Sequence, residues 1–307
     1  MANIEIQASR FTGTFAALNG SAVFPISSLA LLRSMVTVGY KNEADSLGYG
    51  WRSIGWHIST CFLTVATTAT RNGNLVVSKL FHSLDSSEKN TVSYRLGMGL
   101  TKFTAETKLK VPWLVHLDKL FNAGALTLQA GTLERGDLAG QGTNGAWHVL
   151  ESKGRSSPPS SKLLTKSKNQ VSRVLSINGQ PPATRSASIV HLYRDPIRTV
   201  VVDPEEQEQK QVKIEIAEQE YFPAYYALLL QLLDLSDVSE VAFANNAFTV
   251  SRFDFGGTGF GIGLAEAVRH DPANARRACE ALASMNERER DNEKLSIGLD
   301  GTIVLRM

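Results

Sequence analysis

A four-residue apolar run, Trp147 to Leu150, leads into Glu151-Ser152-Lys153-Gly154, and Asp137 lies upstream across a segment holding Gly140, Gly142, Asn144 and Gly145. Turn residues before the run and a glycine after it mark Trp147 to Lys153 as a short strand. Alternate residues of a strand share a face, so Glu151 and Lys153 project together, about 6.6 Å apart along the chain. Asp137, on the far side of the turn, can come level with them. Trp147 and Val149 share that face but lie deeper and read as core, and His148 on the opposite face reads as a packed histidine.

In a chain of average composition, Glu-x-Lys arises about once per 300 residues by chance. Here it occurs three times. Glu106-Thr107-Lys108 falls on an expected helix, where i and i+2 do not share a face. Glu208-Gln209-Lys210 falls in an acidic polar stretch. Only the triplet at 151 combines an apolar strand before it, a glycine after it and an aspartate one hairpin upstream.

The flanking sequence orders the elements around that triplet. Asp85 and Glu88 have capping-box spacing, and Leu96, Leu100, Phe103 and Thr107 recur at helical intervals, predicting a helix from Ser86 to Leu109 that Pro112 closes. Gly97 and Gly99 weaken it and point to close packing. Ala125 to Gln129 reads as the strand on the other side of the glycine-rich turn. Beyond Pro158-Pro159, Ser160 or Ser161 caps a helix to Ile177 with Leu163, Leu164, Val171, Val174 and Leu175 on its apolar face. An alternating strand, Ser186 to Tyr193, follows. Later come an apolar helix from Ala217 to Leu235, a strand within Ala242 to Phe255, a helix opened by Asp271-Pro272 and running to Glu289, and a hairpin around Asp300-Gly301.

Phosphodiester hydrolysis needs a nucleophile made from water at neutral pH and a sink for charge on the phosphate; carboxylate-held divalent ions supply both. Asp137 and Glu151 are the candidate metal ligands, with the Ser152 carbonyl as a third donor. Lys153 is the candidate that orients water or stabilises the phosphate, and a neighbouring divalent ion is expected to lower its pKa. An aspartate, a turn, an apolar strand ending in (D/E)xK, then a helix and a strand resembles the restriction-endonuclease-like, or PD-(D/E)xK, nuclease superfamily over residues 86 to 195. Gly136 departs from the signature by standing where it has proline. The resemblance implies an α/β fold with a central mixed sheet flanked by helices, and Mg²⁺- or Mn²⁺-dependent cleavage of nucleic acid, DNA foremost, in defence or DNA processing. It makes Asp137, Glu151 and Lys153 catalytic, Glu106 an accessory acid on the preceding helix and Gln170 an accessory polar residue on the following one. Arg155, Lys162, Lys166, Lys168 and Arg173 would then meet phosphates.

Plainer readings fit the same residues. Asp137 can satisfy backbone N–H groups of a turn, Glu151 and Lys153 can be a same-face ion pair, and the basic set can be a solvated helix face. A fold that keeps this core without its chemistry would serve as a nucleic-acid-binding or assembly subunit.

At 307 residues, 43% hydrophobic and 20% charged, the chain has an ordinary globular composition. Its net charge of +2 hides an uneven distribution: residues 151–200 carry nine Lys or Arg and two acids, residues 201–240 ten acids and two Lys. The two cysteines, at 61 and 279, form no close pair, and the six histidines lack ligand spacing, which argues against zinc and a disulfide scaffold. Gly256 to Gly263 lacks the Lys-Ser/Thr of a P-loop and reads as flexible or closely packed backbone. The expected organisation is an N-terminal accessory region (1–85), a nuclease core (86–200) and a C-terminal α+β region (201–307). No motif is found in residues 1–84. A cytoplasmic protein is expected, with nucleic acid, a protein partner or a second copy as partners and no membrane.

Overall fold

A computed structural model describes residues 1–130, 135–203 and 212–307. The third Glu-x-Lys, at 208–210, lies outside the described residues. The fold is mixed α/β, a large curled mixed sheet with helices against it and two smaller sheets.

The chain enters through β1 (Ala2–Ser9) and β2 (Gly20–Ile26), an antiparallel pair. It then forms α1 (Ser28–Val38), where the Ser27 side chain accepts the Ala30 N–H at 3.0 Å and Gly39, at φ +70°, ends the helix. After α2 (Trp51–Ala66), β3 (Thr68–Arg71) and β4 (Asn74–Val77) make a hairpin. α3 (Ser86–Thr104) starts at a complete capping box, Asp85 with Glu88, and runs on into a π-helical turn, Ala105–Leu109. β5 (Trp113–His116), α4 (Leu117–Asn122), β6 (Leu126–Ala130), β7 (Leu138–Gln141) and β8 (Trp147–Arg155) follow. Next come α5 (Ser161–Ser172), β9 (Val174–Ile177), β10 (Thr184–His191), β11 (Arg198–Val202), β12 (Val212–Ile216) and α6 (Glu218–Leu235). The chain closes with β13 (Val238–Phe243), β14 (Asn246–Phe255), β15 (Thr258–Ala265), β16 (Leu295–Ile297) and β17 (Thr302–Arg306).

Among the described residues the main sheet has nine strands in the order β3-β4-β1-β11-β10-β8-β7-β5, with β2 on β1. β8 is antiparallel to β7 and parallel to β10, Glu151 lying opposite Ala187. The expected accessory region supplies β1 to β4, so this sheet crosses the expected boundary at residue 85. Two expected elements are corrected. The strand after residue 125 does not pair with β8; β6 joins β12 and β9 in a three-stranded sheet, and Leu138–Gln141 forms the true hairpin partner, with Gly140 inside it. The helix after the triplet stops at Ser172, because Val174, Ser176 and Ile177 turn inward as a strand beside β12. Ser160 holds the N-cap position, but its hydroxyl makes no capping bond.

The expected helix from Asp271 to Glu289 is a series of short turns, Pro272–Asn274, Ala275–Ala278, Glu280–Ala283 and Glu287–Arg290. Its alanines bring little apolar surface to hold a longer helix. Gly256 and Gly257 make the positive-φ turn between β14 and β15. Both cysteines are buried free thiols. No helix among the described residues is long and apolar enough to cross a membrane.

α3 lies on the sheet backbone to backbone. A Cβ on Gly154 of β8 would stand 1.8 Å from the Ser93 carbonyl oxygen, and one on Gly97 would stand 2.5 Å from the Gly154 nitrogen. Neither obstacle is a movable side-chain tip. Gly154→Ala is therefore expected to lose about 3 kcal/mol of stability, the upper end of overpacking costs. Gly55→Ala, in α2 with nothing near its Cβ position, should be stabilised by up to ~1 kcal/mol. Thermal melts of both variants check the contrast; equal Tm values would remove the close approach as a determinant.

Candidate functional site

The β7–β8 register sets Leu138 against Leu150, so Asp137 enters β7 level with Glu151. Leu138 and Leu150 pack with Met98 on the α3 face of the sheet. By alternation Asp137, Glu151 and Lys153 point to the other face, where α5 packs.

The three side chains converge there. Lys153 Nζ donates to Asp137 Oδ2 at 3.0 Å and lies 2.5 Å from Glu151 Oε1, while the Asp137 N–H donates to Glu151 Oε2 at 3.0 Å. The two lysine legs together fall short of the roughly 6 Å that one octahedral ion bridges with or without water. Glu151 is fully buried, whereas the Asp137 and Lys153 side chains are 26% and 28% exposed, so the gap opens on their side.

Burial, and then the charge of Asp137, pushes the Glu151 carboxyl up to about 7, against the pull of Lys153. The lowering expected for Lys153 depends on a neighbouring divalent ion, and the protein groups by themselves act the other way. Burial disfavours the lysine ammonium, but Asp137 and then Glu151, both in direct contact, raise its pKa above the usual lysine value.

The residues present suit a hard divalent cation. A cationic nitrogen already sits between two carboxylate oxygens, and all-oxygen donors fit Mg²⁺ or Mn²⁺. A Cβ on Gly136 would meet the Leu150 carbonyl oxygen at 2.9 Å, so that carbonyl points toward β7. Two residues on, the Ser152 carbonyl points the same way, past the end of β7. Its hydroxyl is turned to the other face, 3.0 Å from Thr101 Oγ1. Among the described residues no three His, Cys, Asp or Glu side chains gather to hold a metal. Two carboxylates, a carbonyl and water make the candidate shell.

The accessory residues divide. Glu106 is not brought to the site. It sits on the π-helical turn, about 13 Å along the helix axis from Gly97. There it takes Arg33 Nη1 at 2.9 Å and the Leu299 N–H at 2.8 Å, inside a buried charge cluster with Lys102 and Asp300. Gln170 adjoins Val171, whose methyl reaches the Gly136 position, and the buried Gln170 Oε1 has no hydrogen-bond partner among the described residues. Of the basic set, Arg155 ends β8 on the Glu151 face; Lys162 and Lys166 are exposed on α5, and Lys168 and Arg173 are half-buried. His148 is buried, 2.9 Å from Thr184 Oγ1, and burial lowers it to about 4.

The rim holds residues that sequence reasoning missed. His116, at the end of β5, feels the charges of Asp118, Asp137, Arg135 and Lys41. Asp118 takes a hydrogen bond from Arg135 and pairs with Lys41 at 3.7 Å. Tyr94 of α3 feels Asp137 and Lys153. The Trp113-Leu114-Val115-His116 run, read from sequence as a short helix or strand, is strand β5, but nothing local says that it lies two strands from the triplet.

Comparison with protein-family models, curated proteins and solved structures gave no match to this chain.

Proposed function

We propose that this chain is a Mg²⁺- or Mn²⁺-dependent nuclease of the PD-(D/E)xK type, cleaving phosphodiester bonds of DNA. The observation that carries this reading is the convergence of Asp137 and Glu151 on Lys153 at the end of β8. The sequence of elements supports it: a helix, the antiparallel hairpin β7–β8, a second helix and a parallel neighbour, β10.

In this reading Asp137, Glu151 and the Ser152 carbonyl hold the ion. When bound, it would lower the pKa of water and neutralise charge on the phosphate. Lys153, fixed by two carboxylates, keeps its ammonium and directs it at the phosphate oxygens. Glu151 hydrogen-bonds the Asp137 backbone and so fixes the hairpin end on which both acids stand. Arg155, Lys162 and Lys166 bind flanking phosphates.

Purified protein incubated with linear, circular and single-stranded DNA should give products only with Mg²⁺ or Mn²⁺, and none in EDTA. A second reading has its own observation. Lys153 already satisfies both carboxylates, as it would in a fold that has dropped the chemistry and kept nucleic-acid binding. Binding of DNA without heat on Mn²⁺ titration and without cleavage would select it.

A further inference from the structure

The registers of four strands set a row of charge across the sheet beyond Lys153. Arg155 follows Lys153 by two residues on β8, so the two share a face, about 6.6 Å apart along the strand. Arg155 stands opposite His191 of β10, His191 opposite Arg198 of β11, and Arg198 opposite Glu5 of β1. Residues opposite one another in a ladder share a face, and neighbouring strands lie about 4.8 Å apart, so His191 stands between two arginines whose backbones are roughly 10 Å from each other. Arg155, His191 and Arg198 are all half-buried, so the row stays open to solvent.

The turn after β10 closes on the row. The Leu192 N–H donates to the Arg155 carbonyl at 2.8 Å, and the Arg194 N–H to the His191 carbonyl at 3.3 Å. The Tyr193 ring stacks on His191 at 5.4 Å between centroids, and the Arg194 guanidinium lies 5.3 Å from the Tyr193 ring centre. Charge in this group does not balance. Glu5 is occupied by Arg198, whose Nε and Nη2 each lie 2.7 Å from Glu5 Oε2. Asp195, next to Arg194 in the chain, is held by Arg71 and Asn74. Arg155 and Arg194 have no acid in salt-bridge contact among the described residues, and the buried Arg155 Nε has no hydrogen-bond partner there. A buried donor left without an acceptor is costly, and an anion is what would relieve it. Burial, and then the charges of Arg194 and Arg198, hold His191 below the usual histidine range, so at neutral pH the ring is neutral and can still donate one N–H.

We infer that Arg155, His191, Arg194 and Arg198 form a phosphate-binding site at the ends of β8 and β10, one strand step past Lys153. Guanidinium forks match phosphate oxygens in pairs, which a solvated row of lysines would not do. The site needs no metal. That its phosphate belongs to the strand cut at Asp137, Glu151 and Lys153 rests on the nuclease reading, and it names the contact that fixes the strand's position there. The phosphate can come from two places in a nucleic acid, an internal diester or a terminal monoester, and the second carries the larger charge.

The test is fluorescence anisotropy of a labelled oligothymidylate, plain or carrying a terminal phosphate, with the full chain in EDTA so that no turnover is needed. Arg155→Gln and Arg194→Gln should each weaken binding about 10- to 150-fold, the range of one lost hydrogen bond to a charged group. Each should also flatten the salt dependence by about 0.7 in slope, one phosphate's share on a single strand. Arg252→Gln, on β14 of another sheet, should change neither. Arg194 is exposed on a turn, so its variant keeps the test open if Arg155→Gln melts early. Tighter binding of the end-phosphorylated strand, lost in the variants, supports the site with a terminal phosphate; equal weakening of both strands supports it with an internal one. Unchanged affinity and slope in both variants, the same loss in Arg252→Gln, or no binding by the wild type would overturn it. Manganese-dependent cleavage by the wild type is scored separately. Cleavage with unaffected variants drops the phosphate site and keeps the nuclease, whereas weakened variants of a protein that does not cleave keep the site and drop the nuclease.

Discussion

Under the proposed nuclease function, Asp137→Asn and Lys153→Ala should each reduce cleavage about 10²- to 10⁴-fold, the scale of a lost group acting in the chemical step; Mn²⁺ titration should then separate them. Removing the Asp137 charge takes away one of two carboxylates, so the calorimetric heat should fall sharply. Removing the lysine deletes a cation from between two carboxylates, and metal binding should persist or tighten while turnover is lost. Thermal melts accompany both, since Lys153→Ala leaves Glu151 buried beside Asp137 without its counter-charge. Wild-type-like cleavage in either variant would refute the assigned roles. If both variants lose metal binding alike, Lys153 acts through the ligands and not on the phosphate.

The second large effect is on stability. Arg33 is buried and bound to Glu106, with Asp300 at 3.7 Å. Lys102 is fully buried, 2.7 Å from the Tyr225 hydroxyl and 3.4 Å from Asp300. Two cations and two acids thus balance inside the core. Glu106→Ala leaves Arg33 short of a counter-charge and the Leu299 N–H without its acceptor, which should cost about 3–5 kcal/mol. Denaturant unfolding should show the loss, and Arg33→Met with Glu106→Leu should recover much of it. Specific activity per folded molecule should not change in Glu106→Ala. A selective loss of turnover there would restore the accessory role that Glu106 was expected to have.

What could be read in the sequence was local. The capping box of α3 needs only Asp85 and Glu88. β8 is announced by the run Trp147 to Leu150, with three apolar residues and a packed histidine, and the turn at Asp300-Gly301 by a two-residue signal. Gly97 and Gly99 betrayed close packing because a helix tolerates glycine poorly without it. What could not be read was partnership across long intervals. Nothing near residue 126 says that β6 pairs with β12 and not with the strand after the next turn. Val174, Leu175 and Ile177 serve a helix face and a strand equally well until β12 is beside them. An interior glutamate such as Glu106 looks like any surface glutamate, because its partners are residues 33 and 299.

The separation of those partners bears on how fast the chain reaches its native state. β1 lies beside β11, Glu5 opposite Arg198, and the buried ion pairs join residue 33 to residues 106 and 300. Contacts of such span close large loops before they return any stabilisation, and folding rates fall as the mean separation of contacting residues grows. During synthesis Arg33 meets its partner Glu106 early, but Lys102 emerges long before Asp300, so α3 cannot settle into a dry interior until the final hairpin arrives to neutralise that lysine. Until then its ammonium stays hydrated, and the apolar surfaces beside it remain open to chaperones.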